Sequence, residues 1–312
     1  MLDARRLRVL REVARHRSLS AAATALAYTP SAVSQQIRTL EREIGAVLVE
    51  RGGRGAVLTD VGRLLVAYAE DILGRMNAAE DAVRAVLGLR AGRLRLGAFS
   101  TAGAALVPRA VKTFRDRHPQ VEVQLAELDP EEAVEALRDY EIDLALVYEF
   151  PGVPGPDLED FEYSMLTVDR LYIALPEAHR LAGHERVKLR ELADEAWIQG
   201  VRRGSTVGVL PAACRAAGFE PRIVFRSDDH LAVQGSVAAG LGIAVVPHLT
   251  VATARSDIAI RPLEVEGDLL RREVGAAFPR SPYGVPAVAA MLEILRDACA
   301  ELADAPSARR VP

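Results

Sequence analysis

Ser31, Ser34, Gln35, Arg38 and Arg42 are spaced by three, one, three and four residues, which puts them on one side of a helix opening at Thr29-Pro30. Hydroxyl, amide and guanidinium groups can both bridge base edges and reach phosphates, and no carboxylate interrupts this face. Nine residues on, Arg51-Gly-Gly-Arg54-Gly55 brings two more cations onto a glycine-rich turn, suited to a phosphate backbone. A second set of groups lies in the rest of the chain. Ser100 and Thr101 follow a strand pattern and open a helix, where hydroxyls and free backbone N–H groups can hold an anion or simply cap. Gln199 and Arg202 take the matching place after a later strand, and a guanidinium there can clamp a carboxylate. Asp129 and Asp228 each stand between a strand and a helix, placed either to cap that helix or to accept an ammonium group.

The elements that must hold the first set are short and well punctuated. Asp3 to His16 reads as a helix with Leu7, Leu10, Val13 and Ala14 inward. Ser18 and Ser20 open a second helix, with Leu19, Ala22, Ala23 and Leu26 on one face, that stops at Tyr28. Thr29 then caps a third, with proline at its first position, an apolar stripe of Val33, Ile37, Leu40 and Ile44, and Gly45 as its stop. Two brief strands around residues 52–55 make a hairpin. Thr59 caps a long helix from Asp60 to about Leu89. Its apolar seam of Val61, Leu65, Tyr68, Ile72, Met76, Ala79, Val83 and Val86 needs a partner, either a second copy or the chain's own C-terminal half. Gly88 and Ala91-Gly92 then read as a hinge.

From Arg93 the pattern changes to strands alternating with helices, which predicts a largely parallel sheet covered on both faces. The Pro/Gly-rich stretch 151–156 marks a crossover into a second such series, so two α/β lobes face each other across a cleft. The boundaries read as 1–60 for the helix-turn-helix and hairpin and 60–90 for the long helix. The α/β part takes 91–303, with one lobe at 91–165 and 266–303 and the other at 166–265. Residues 304–312 form a tail.

The ordered residues Ser20, Ala22-Ala23, Leu26, Ser34, Ile37, Leu40-Glu41, Leu48, Glu50-Arg51, Leu58-Thr59 and Gly62 resemble the winged helix-turn-helix of the LysR-type transcriptional regulators. Arg93-Leu-Arg-Leu-Gly97, Ile142-Asp-Leu-Ala-Leu146 and Val237-Ala-Ala-Gly-Leu-Gly242 with Val246-Pro247 are similar to landmarks of that family's effector-binding domain, a fold of periplasmic-binding-protein type. Pro30-Ser31 and Gln35 stand where many relatives have Gln-Pro and Arg, so individual base contacts are not carried over. The resemblance implies a multidomain α/β regulator of transcription that binds double-stranded DNA at an interrupted inverted repeat. It also implies pairing through the long helix into a homodimer and further into a homotetramer, contact with RNA polymerase, and a small-molecule effector between the lobes. Ser100, Thr101, Asp129, Gln199, Arg202 and Asp228 suggest a carboxylate or an amino acid as that effector. Peroxide-sensing relatives carry two cysteines near residues 205–214; here Ser205 takes the first place and Cys214 the second, which argues against an intramolecular thiol switch.

Charge distribution agrees with this division of labour. The whole chain carries −4, but residues 1–60 hold 10 Arg and 6 acids (+4), leaving 29 Lys+Arg and 37 acids (−8) for residues 61–312. Two cysteines are too few for a disulfide framework, and no apolar run is long enough to span a membrane, which together predict a cytoplasmic protein. The six histidines show no metal-ligand spacing, and no phosphate loop or nucleophile elbow is present, so neither a cofactor nor an enzymatic activity is expected. The competing expectation is a solute-binding or enzymatic α/β protein whose N-terminal helices serve assembly alone.

Overall fold

Asp3 accepts a hydrogen bond from the Arg5 amide at 2.7 Å and thereby starts helix α1 (Ala4–His16). Ser18 does the same for α2 (Leu19–Ala25), and Thr29 for α3 (Pro30–Ile44), which ends on Gly45 in the left-handed conformation at φ 77°. The computed structural model describes residues 2–52, 55–86, 92–201, 207–265, 270–280 and 285–304, without the side chains of 51–52, 55, 77–78, 81–82, 84–86, 252 and 303–304. The chain divides into two compact units, Met1–Val86 with Arg138–Glu141, and Leu87–Leu137 with Ile142–Pro312.

In the first unit Leu7, Leu10, Val13, Ala22, Ala23, Val33, Ile37 and Leu40 close one core. Ile44, expected inside, is 37% exposed, because the last turn of α3 overhangs the core before the chain reverses at Gly45. The hairpin strands β1 (Val49–Gly52) and β2 (Gly55–Leu58) pair antiparallel, Val49 opposite Leu58. Its attachment explains three motif residues. One Glu41 carboxylate oxygen accepts from the amides of Leu48 at 2.9 Å and Val49 at 3.2 Å, so this acid ties β1 to α3. The Thr59 hydroxyl donates to the Val47 carbonyl at 2.7 Å and accepts from the Gly62 amide at 3.0 Å, capping α4 (Asp60–Val86). Gly62 passes so close to the Leu48 carbonyl that a Cβ would sit 2.2 Å from its oxygen. The expected single seam of α4 is buried over only part of its length. Leu65, Ala69 and Leu73 are buried in the core, whereas Val61, Leu64, Tyr68, Met76 and Val83 are exposed. The hinge expected at residues 88–92 falls almost wholly outside the described residues.

The second unit opens with β3 (Gly92–Ala98), α5 (Ser100–Ala105), α6 (Val107–Arg117), β4 (Val121–Glu127), α7 (Pro130–Arg138) and β5 (Leu144–Glu149). It continues through β6 (Phe161–Pro176), β7 (Val187–Lys188), β8 (Ala196–Gln199), α8 (Val209–Ala216), β9 (Arg222–Arg226), α9 (His230–Ala238) and β10 (Ile243–Pro247). Strands β11 (Ile258–Glu264) and β12 (Arg271–Pro279) lead to α10 (Pro286–Asp304). The strand order is β4-β3-β5-β12-β6-β10-β8-β9, with β11 added beside β6 and β7 beside β11.

The sheet is mixed rather than parallel throughout. β3 runs parallel to β4 and β5, and β8 parallel to β9 and β10, but β6 and β12 lie antiparallel to their neighbours. The connection between lobes is itself β structure: residues 161–170 of β6 pair with β12 in one lobe, and residues 171–176 pair with β10 and β11 in the other. That strand begins nine residues before its expected start at Arg170, because Glu162, Tyr163 and Ser164 lack the apolar alternation that marks a strand in sequence. One continuous strand spans both lobes, each of which has its own core, one around Phe99, Phe114 and Leu146 and the other around Ile173, Trp197 and Leu210.

Candidate functional site

Helix α3 presents Ser31, Gln35, Arg38 and Arg42 to solvent, with Ser34 half-buried beside them. These five side chains, with Glu41, Gly45, Ala46 and Val47, line an open groove along the helix. Thr29 and Pro30 are exposed at its N-terminus, where the Thr29 and Ser31 hydroxyls lie 3.0 Å apart in a hydrogen bond. Arg42 folds back on its own helix, donating to the Thr39 hydroxyl at 2.9 Å and the Arg38 carbonyl at 3.4 Å. Glu41 is the one acid of the groove, and its bonds to the β1 amides hold a carboxylate oxygen toward the hairpin. The groove wall therefore offers hydroxyls, an amide and guanidinium groups. The Arg51 side chain and all of Arg54 lie outside the described residues.

A cavity of about 840 Å³ opens between the lobes of the second unit at the C-terminal ends of β3, β4, β5, β8, β9 and β10. Ser100, Thr101, Asp129, Gln199 and Asp228 all line it. Their roles differ from expectation. No side chain caps α5: Ser100 is its first residue, and the Thr101 hydroxyl accepts from Arg272 at 2.7 Å. Asp228 accepts from the Val201 amide at 2.9 Å, while its neighbour Asp229 caps α9 through the amides of Leu231 and Ala232. Gln199, 3% exposed, accepts from Arg226 at 2.6 Å and donates to the Val207 carbonyl at 3.5 Å, which occupies both ends of its amide. Arg202 lies outside the described residues.

The cation that the structure does place in the cleft is Arg272, which lies in no sequence motif. Its side chain is 5% exposed and donates through Nε and Nη2 to Asp169 at 2.9 and 2.7 Å. Its guanidinium carbon lies 4.9 Å from the Phe99 ring centroid and 4.6 Å from that of Tyr148, a double cation–π contact. Asp169 also accepts from the Leu249 amide at 3.3 Å, so one buried acid joins the β6 crossover, β12 and the turn after β10. His230 lines the same cavity. Burial, with the Arg272 charge behind it, lowers its pKa from 6.5 to about 4, so the ring is neutral at neutral pH. Burial also raises the Tyr148 hydroxyl above its usual range. A strand residue 103 positions from its partner carries no local sequence signal, so only Arg272 being a charge inside a strand pattern marked it.

The two cysteines are buried, and burial pushes Cys214 up to about 12 and Cys299 up to about 11. Both thiols stay protonated at neutral pH and are poor nucleophiles. Among the described residues no group of His, Cys, Asp and Glu is placed to hold a metal, and no helix is long and apolar enough to cross a membrane.

Comparison with known proteins agrees with both halves. Residues 4–63 match the family model of the bacterial regulatory helix-turn-helix protein, lysR family, and residues 87–300 match that of the LysR substrate binding domain. The probable HTH-type transcriptional regulator LrrA of Synechococcus elongatus is 31% identical over 297 residues, covering 95% of this chain and 97% of that protein. The RuBisCO operon transcriptional regulator of Allochromatium vinosum is 30% identical, covering 96% and 97%. The transcriptional dual regulator GltC of Bacillus subtilis is 26% identical, covering 90% and 92%. Among solved structures, the LysR family regulator CbnR shares the fold with a TM-score of 0.68 at 24% identity, covering 96% of this chain and 99% of that one. A full-length OxyR variant from Pseudomonas aeruginosa does so at 0.71 and 22%, covering 99% and 97%. With both of its units matched and relatives at 30–31% identity aligned over nearly their whole length, the chain belongs to the LysR-type transcriptional regulators, DNA-binding proteins with an effector-binding domain, and not to an enzyme family.

Proposed function

We propose that residues 1–60 read double-stranded DNA with α3 in the major groove. Pro30, Ser31, Ser34 and Gln35 lie nearest the bases, while Thr29, Arg38, Arg51 and Arg54 reach phosphates. The observation that carries this is the α3 groove, whose wall is hydroxyl, amide and guanidinium with its one acid engaged elsewhere. The exposed apolar residues of α4 pair two copies, so the operator is an interrupted inverted repeat with half-sites set by the two-fold axis. A homotetramer and a contact with RNA polymerase complete the assembly, which works in the cytoplasm. A small molecule held between the lobes acts as effector, and it alters the spacing of the DNA-binding heads to the extent that it binds one quaternary state better than the other.

The division of roles is tested by two substitutions against specific and scrambled duplexes. Gln35→Ala is expected to cost about 1–3 kcal/mol on one base position and nothing on scrambled DNA, while Arg54→Ala weakens both duplexes alike and lowers the salt slope by about 1. Equal losses for the two variants on both duplexes would refute it.

A further inference from the structure

The chemistry of the interlobe cavity selects a class of effector; this deepens the reading of that cavity as the effector site and rests on it. Its buried end offers a donor. Arg272 uses Nε and Nη2 on Asp169 and Thr101, and Nη1, with its two N–H bonds, has no hydrogen-bond partner among the described residues. The side chain is nine-tenths buried and lines the cavity, so Nη1 is a fixed donor whose charge Asp169 already offsets. Such a neutralised guanidinium holds an oxygen acceptor by geometry rather than by excess charge. The rest of the lining has the opposite sign. Glu127, Asp129, Glu131, Asp228 and Asp229 all border the cavity, and Arg272 is its one cationic side chain among the described residues. Glu127, Glu131 and Asp229 are exposed at the mouth, and the body of the site is walled by the buried side chains of Phe150, Ile198 and Val246. A polyanion entering this cleft meets five carboxylates with one already paired cation behind them, whereas an ammonium group gains from each.

We propose that the cleft takes a small organic amine that also carries an oxygen acceptor, a molecule of zwitterionic amino-acid type, with its oxygen on Arg272 Nη1 and its ammonium toward Glu127, Glu131 and Asp229. This places the anion contact on Arg272; Arg202, where the sequence placed it, lies outside the described residues. On this reading dicarboxylates and phosphate esters bind more weakly than the amino acid.

The test is calorimetric titration of the full-length protein with four probe sets on matched carbon skeletons: neutral α-amino acids, the amines lacking the carboxylate, the monocarboxylates lacking the amine, and dicarboxylates. An amino acid is expected to bind saturably, with its amine-free and dicarboxylate counterparts weaker by about tenfold or more. Glu127→Gln with Glu131→Gln, at two exposed positions, weakens the amino acid without changing the melting temperature. Arg272→Lys keeps a charge opposite Asp169 but removes the fork, and it erases the preference of amino acid over plain amine. Tightest binding by a dicarboxylate, strengthened by the two Gln substitutions, overturns the proposal and leaves the cleft as the effector site. So does the failure of every amine-bearing probe at millimolar concentration. A probe that binds with no response to any of these substitutions removes the cleft reading itself.

Discussion

At Arg272 a full positive charge, 4% exposed, sits between two aromatic rings, and its partner Asp169 is as deeply buried. Removing one member of such a pair leaves the other charged and desolvated, so Arg272→Met is expected to destabilise the protein by about 3–5 kcal/mol. Adding Asp169→Leu should recover part of that loss, but not all, since the Leu249 amide then has no acceptor. Urea unfolding of the single and double variants measures both. His230 makes a pH prediction. Its pKa falls from 6.5 unfolded to about 4 folded, so between these values the unfolded chain binds more protons and stability drops as the pH is lowered. The loss between pH 7 and pH 4 is on the order of 2 kcal/mol for this group, given its partial exposure. His230→Gln should flatten the urea midpoint over that window relative to the parent, and identical slopes would contradict the shift.

Secondary-structure elements are joined here by close backbone approaches as much as by side-chain packing. At Gly62 the first turn of α4 presses on the Leu48 carbonyl, and a methyl group placed 2.2 Å from that oxygen forces the hairpin or the helix to move. Gly62→Ala is therefore expected to cost about 1–3 kcal/mol, measured by thermal unfolding and by weakened DNA binding through a displaced hairpin. Gly103, in α5, has nothing within 4 Å of its would-be Cβ, so Gly103→Ala is the control, neutral or stabilising by up to about 1 kcal/mol. Glu41 works between elements in the same way. In the fold this residue borders the polar groove of α3, and its bonds to the Leu48 and Val49 amides make it a strut for the hairpin.

For the whole molecule, Val61, Leu64, Tyr68, Met76 and Val83 are exposed apolar residues along a 27-residue helix whose Leu65, Ala69 and Leu73 are buried. A charge in its middle should oppose self-association: Tyr68→Glu with Val83→Glu is expected to convert dimer to monomer in sedimentation velocity and to lose most operator affinity, because two half-sites are then bound independently. Retained dimer with unchanged affinity would place the subunit contact elsewhere. Tyr68 is 59% exposed and Val83 62%, so neither substitution disturbs the core of its own unit.

The N-terminal unit was readable in detail because its information is local. Caps at Ser18 and Thr29, a proline at the first turn of α3 and a glycine stop at Gly45 each act over three or four residues, so spacing locates these helices. The α/β alternation and the existence of two lobes were likewise legible, since strand and helix periodicities differ over short windows. What sequence order could not supply is pairing across distance. That β6 runs through both lobes, that β12 returns antiparallel beside it, and that Asp169 and Arg272 meet 103 residues apart depend on contacts no local pattern encodes. The same reason separates the expected cleft residues from their roles: Asp129, Gln199 and Asp228 reach the cavity as their place after strands requires, but which donor or amide each one meets was decided by the packing of the lobes around it.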